Sequence, residues 1–127
     1  KSVKYLILPF ILLTASTAPF AQDLLSPEQQ AIGEAYASYI SHKSFVSVCT
    51  DQTKDKNYQL MFERWLSKNK KEIDSGFEVL ENHYSSQGLN VDEVFKWKTE
   101  AELRYFTQSS SEEKGITCNR VMSFISE

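Results

Sequence analysis

The chain has 127 residues, with 14 Lys and Arg against 17 Asp and Glu, a formal charge of −3, and 13% aromatic residues. A chain of this length forms one domain with one hydrophobic core. The acidic balance argues against a nucleic-acid-binding protein, because such proteins gain affinity by neutralising phosphates with Lys and Arg.

The N-terminal segment 1–21 has the three parts of a secretory signal peptide. A basic start, an apolar run and a stretch of small residues follow one another at 1–4, 5–13 and 14–18. A membrane anchor needs roughly 20 apolar residues, whereas this run is interrupted by Pro9, so we expect no stable membrane insertion after cleavage. We predict cleavage between Ala21 and Gln22. That leaves a single helical domain over 22–127, with 12 basic and 17 acidic residues and a formal charge of −5.

Two cysteines, Cys49 and Cys118, lie in the predicted mature domain. A signal peptide sends the chain to an oxidising compartment, the periplasm or the outside of the cell, where paired thiols form disulfides. We therefore predict a disulfide between them. It would close a loop of about 70 residues, to which the chain-entropy model assigns roughly 4 kcal/mol of stabilisation.

The predicted elements are all helical, since no segment sustains the strand alternation of apolar and polar residues between turn residues. Ser26 and Pro27 are favourable at a helix start, and the apolar pattern after them predicts a first helix over 27–41. The pattern changes side near His42. We therefore predict a break there, followed by a shorter turn that carries Cys49 toward the core.

The second predicted helix is the longest, about 30 residues, because apolar side chains recur at helical spacing from Tyr58 to Tyr84. Ser75-Gly76 could bend this helix, and Gly88 follows it as a plausible stop. Asn69 falls on the buried face. We expect its side chain to bond a backbone carbonyl or a neighbouring side chain rather than to take part in chemistry.

Two further helices begin at recognisable caps. Asn90 and Ser110 are each followed three residues later by Glu, a pattern typical of helix N-termini. The third helix is predicted to bury Val91, Val94, Phe95, Ala101 and Tyr105, and the fourth to bury Cys118, Val121, Met122 and Ile125. The predicted fold is all-α: a small four-helix bundle-like domain with one long central helix, closed by one disulfide.

One candidate partner-binding surface lies on the third helix. Trp97 falls at the flank of this helix and Leu103 roughly opposite its apolar face. Apolar side chains left at a surface are candidates for a protein interface. The alternative is that a small bundle covers its own flanks. Other apolar residues off the main faces are Leu60, Ile116 and Phe124.

A second candidate surface is basic. Arg64, Lys68 and Lys71 recur along one side of the second helix, where they could bind an anionic partner. The alternative is a solvated helix face, since Lys68 and Lys70 each have an acidic residue four positions later.

The sequence contains no haem-attachment motif and no Glu-x-x-His pair, so we expect no metal and no cofactor. We predict a non-catalytic protein that binds another envelope or periplasmic protein, as an immunity protein, an inhibitor or a chaperone. One alternative is an enzyme that acts on an envelope polymer through carboxylates such as Glu34, Glu63 or Glu78. Another is a carrier of a small apolar ligand, in a void lined by Phe62, Trp65, Phe95 and Tyr105.

Overall fold

The computed structural model describes residues 24–127, so the predicted signal peptide and its cleavage site lie outside the described residues. The described residues form four helices and no strand. The helices are α1 Pro27–Thr53, α2 Asn57–Ser85, α3 Val91–Gln108 and α4 Ser111–Ile125. The predicted all-α fold with a long second helix is confirmed.

Side-chain caps explain where three of the described helices begin. The Ser26 hydroxyl accepts from the backbone N–H of Gln29, and the Ser110 hydroxyl accepts likewise before α4. The Asn90 side chain accepts from the backbone N–H of Glu93 at the start of α3. Each such cap contributes about 1 kcal/mol by satisfying a backbone donor that has no partner within the helix. These starts agree with the sequence prediction.

The predicted break in the first helix is wrong. α1 has 27 residues and is continuous through His42. It ends before Lys54, whose backbone is left-handed with φ of 61°. The apolar face changes side because α1 has different neighbours along its length. Tyr36 meets Phe95 of α3 at 5.7 Å between ring centroids, whereas His42 stacks on Phe124 of α4 at 4.0 Å.

α1 and α2 form an antiparallel pair that makes a close contact at Gly76. A Cβ at this position would lie 2.7 Å from the carbonyl oxygen of Ile32 and 3.0 Å from the backbone nitrogen of Tyr36. α2 continues as a helix through Ser75 and Gly76, so close approach accounts for this glycine. Gly88, the predicted stop, lies in the turn after α2 with φ of 75°.

α3 and α4 complete the bundle in opposite directions. α3 runs along α1 in the same direction, since its Phe106 meets Phe45 further along α1 than Phe95 meets Tyr36. α4 runs against α1 and contacts α2 as well, where Phe124 lies 5.5 Å from Trp65. α1 therefore contacts each of the other three described helices.

The predicted disulfide is present. Cys49 and Cys118 are bonded, with Cα atoms 5.5 Å apart, and both residues are fully buried. The Tyr58 hydroxyl of α2 donates to the carbonyl oxygen of Cys118 at 3.0 Å. One residue of α4 is thus fixed to α1 by a covalent bond and to α2 by a buried hydrogen bond.

The buried face of α3 was predicted correctly in its first half and wrongly in its second. Val91 and Phe95 are buried as expected, but Tyr105 is 73% exposed and Ala101 is exposed. Phe106 is buried in place of Tyr105. In its second half, α3 therefore packs against α1 through a different face from the predicted one.

Candidate functional site

Apolar side chains are exposed along one side of α3. Trp97 is 63% exposed and Tyr105 is 73% exposed. Ala101 is exposed between them, and Val94 is half-buried one turn earlier. Steps of three and four residues place all four on one side of a helix. We call Val94, Trp97, Ala101 and Tyr105 the outer stripe of α3.

An open groove of about 620 Å³ lies between α3 and α4 beside the outer stripe. Its walls include Tyr105 from α3 and Ile116 from α4, which is 46% exposed. Phe45 of α1 and Phe106 of α3 also line it, with their rings edge to face at 5.7 Å. Because Tyr105 belongs to both the outer stripe and this α3–α4 groove, the two form one continuous surface.

Mixed charge lies beside the apolar groups of the α3–α4 groove. Glu102, Glu113 and Arg120 line the groove. Glu102 accepts from the Lys98 ammonium at 2.6 Å, and the Ser41 hydroxyl of α1 donates to it at 3.4 Å. An apolar centre with charged groups around it is the usual composition of a protein-binding surface.

Leu103 lies apart from Trp97. It is half-buried and lines a second groove, of about 480 Å³, between α3 and α1. Predicted to lie opposite the apolar face, Leu103 instead faces toward α1. The two candidate residues of α3 therefore do not share one surface, and Tyr105 takes the place beside Trp97.

The basic candidates on α2 are all exposed. These are Arg64, Lys68 and Lys71. Lys70 forms the expected ion pair with Asp74 at 2.8 Å, while the Lys68 ammonium contacts the backbone carbonyl of Glu127. Asn69 is half-buried and, as predicted, donates to a backbone carbonyl oxygen, that of Trp65, at 2.8 Å.

The carboxylates proposed for an enzyme lie outside both grooves. Glu63 and Glu78 are exposed on α2, Glu34 is half-buried on α1, and none of them lines the two grooves described above. Within residues 24–127 no group of three or more His, Cys, Asp and Glu side chains could hold a metal ion. In the same range, no helix has the length and apolar character needed to cross a membrane.

The four aromatic side chains proposed to line a ligand cavity do not surround one space. Phe62 and Trp65 are buried, and their rings stack at 6.0 Å. Phe95 is buried against Tyr36, while Tyr105 lies at the surface.

His42 is a half-buried imidazole held among aromatic rings. Its ring stacks on Phe124, lies 6.3 Å from Trp65 and bonds through Nδ1 to the carbonyl oxygen of Ser38 at 2.8 Å. Burial lowers the pKa of His42 below its usual value of 6.5, although the Ser38 carbonyl and Glu102 oppose this effect. Neutral His42 is therefore part of the packing between α1 and α4.

This environment predicts a loss of stability in acid. Below pH 6.5 the unfolded chain protonates His42 while the folded chain resists, so the unfolded state binds more protons and the free energy of unfolding falls as pH falls. Between pH 7.5 and pH 5, we expect the melting temperature of wild type to fall further than that of His42→Gln. Thermal unfolding followed by circular dichroism at both pH values measures this. A difference between the two proteins that stays constant with pH would contradict it.

The position of Phe106 is the sequence feature that would have predicted the buried face of α3 correctly. Val91, Phe95 and Thr99 are buried at steps of four, and Phe106 follows seven residues later. A helix phase fixed by Phe106 leaves Trp97 and Tyr105 on the outside together.

The surface formed by the outer stripe and the α3–α4 groove is thus the strongest candidate site on the described chain. No protein-family model, curated protein or solved structure matches the chain, so functional inference rests on this surface and its chemistry.

Proposed function

We propose that the protein is an exported, non-catalytic binding protein that holds another protein of the cell envelope on the outer stripe and the α3–α4 groove. The exposure of Trp97 and Tyr105 on one side of one helix carries the proposal. Large aromatic side chains are the commonest anchors of protein interfaces. A contiguous apolar patch at a surface is typical of interaction sites.

The form of the groove favours a partner segment with apolar side chains on one side and charged groups at its edges. Phe45 and Phe106 offer apolar contact inside the groove, and Tyr105 and Ile116 flank it. Arg120 and Glu113, on α4, would meet opposite charges at the rim, where they steer and align a partner more than they add affinity.

The buried disulfide supports export, because disulfides persist in oxidising compartments. It also favours an immunity or inhibitor protein over a chaperone. A surface held on a covalently closed scaffold is preorganised for one partner. Proteins that bind many partners use flexible surfaces that repack.

The experiment begins with the native host. A photo-crosslinking side chain at position 105 should capture one envelope protein, and the same side chain at Glu78 of α2 should not. The captured protein is then purified, and its affinity for variants is measured by calorimetry.

We expect Trp97→Ala and Tyr105→Ala each to weaken binding by about tenfold or more, the effect of losing an interface anchor. Leu60→Ala is the matched control, because Leu60 is an apolar residue of α2 that is 48% exposed. An equal loss in Leu60→Ala, or unchanged affinity in both α3 variants, would contradict the proposal.

A further inference from the structure

Opposite charges flank the outer stripe in an arrangement that is complementary to itself. Glu93 and Arg104 are exposed and lie eleven residues apart, which is close to three helical turns, so they share one flank of the stripe about 16 Å apart. Neither forms an ion pair with a described residue of its own chain, where the ion pairs are Lys70–Asp74 and Lys98–Glu102.

The midpoint between Glu93 and Arg104 falls between residues 98 and 99 of the chain. Trp97 and Ala101, inside the stripe, have their midpoint at residue 99. A two-fold axis perpendicular to α3 near residue 99 would therefore set Glu93 opposite Arg104 of a second copy. The same axis would set Trp97 over Ala101 of that copy.

We propose that a second copy of this chain occupies the outer stripe, with the two α3 helices antiparallel about this axis. Isologous contacts of this kind are the commonest in protein oligomers, since the same patch is used twice. The small side chain of Ala101 leaves room for a large ring from the facing helix, as knob and hole do in helix packing. Each dimer contains two Trp97–Ala101 contacts and two Glu93–Arg104 contacts.

The other flank of the stripe carries an ion pair within the chain. Lys98 and Glu102, which bond to each other at 2.6 Å, have their midpoint at residue 100. About an axis near residue 99, Lys98 of one copy lies as near along the helix to Lys98 of the other copy as to its Glu102. The charge complementarity of the pair therefore comes from Glu93 and Arg104.

The contact is small. α3 has 18 residues, or about 27 Å of helix, and one face of it covers far less than the interface of a stable complex. The dimer is therefore weak and reversible. The proposal of a dimer rests on the proposed function of the stripe as a protein-binding surface. The second copy competes with the envelope partner for Trp97.

Exchange of charges tests the pairing. Self-association of the exported protein is measured by sedimentation equilibrium from micromolar to millimolar concentrations. Glu93→Arg alone and Arg104→Glu alone each place like charges opposite one another twice, and we expect each to weaken association by about tenfold. The double variant Glu93→Arg/Arg104→Glu restores opposite charges and should associate as wild type does.

The double variant also controls for folding, because it carries both substitutions and any local cost that they have for α3. A protein that stays monomeric throughout, or a dimer that the single variants leave unchanged, would overturn the pairing. If Trp97→Ala still weakens capture of the envelope partner in either case, the proposed function stands without it. If Trp97→Ala changes neither measurement, both proposals fall.

Discussion

Loss of the Cys49–Cys118 disulfide is expected to destabilise the protein by roughly 4 kcal/mol, because it releases a closed loop of about 70 residues in the unfolded chain. In a domain of this size that corresponds to a fall in melting temperature of about 15 °C or more. α4 suffers most. It has 15 residues, a length at which an isolated helix is marginal in water, and Cys118 is its covalent cross-link to α1.

The double variant Cys49→Ala/Cys118→Ala measures this loss without leaving a lone thiol. Its thermal unfolding is compared with that of wild type and of wild type reduced in denaturant and refolded in reductant. Reduction in denaturant is needed because both cysteines are fully buried, so reductant reaches them only in the unfolded chain. We expect the reduced protein and the double variant to melt together. Two reactive thiols in the unreduced protein would contradict the bond itself.

The bond was predictable from the sequence, but the path of the chain to it was not. Two cysteines behind a predicted signal peptide leave one intramolecular pairing to consider. The apolar pattern changes side near His42, which predicts a break there. The helix is continuous. Its apolar face changes side because Tyr36 packs against α3 whereas His42 packs against α4. Periodicity in one segment does not contain the identity of its tertiary neighbours.

The same reason limits what the sequence reveals about the candidate site. The starts of α3 and α4 follow from local hydrogen bonds at Asn90 and Ser110, so the caps predict them well. α3, however, carries two apolar sides, and local spacing does not decide which one meets α1. Phe45 packs against Phe106, and that contact leaves Tyr105 outside beside Trp97. Trp97 was thus predictable as a surface residue, whereas the groove beside Tyr105 was not.

Gly76→Ala is expected to destabilise the protein by about 2 kcal/mol, as overpacking of a tight helix contact does. The new methyl group would lie 2.7 Å from the carbonyl oxygen of Ile32 and 3.0 Å from the backbone nitrogen of Tyr36. Both are backbone atoms, so α1 and α2 must separate to admit it. The better helix propensity of Ala offsets only about 1 kcal/mol of this cost.

Gly115→Ala is the matched control, since a Cβ on this glycine of α4 would meet no atom within 4 Å. There only the propensity gain remains, and we expect stabilisation by about 0.5–1 kcal/mol. Urea unfolding of both variants thus gives opposite signs for the same chemical change. Equal stability gains in the two would mean that α1 and α2 are not in close contact at Gly76, and the glycine would then serve to bend α2, as the sequence first suggested.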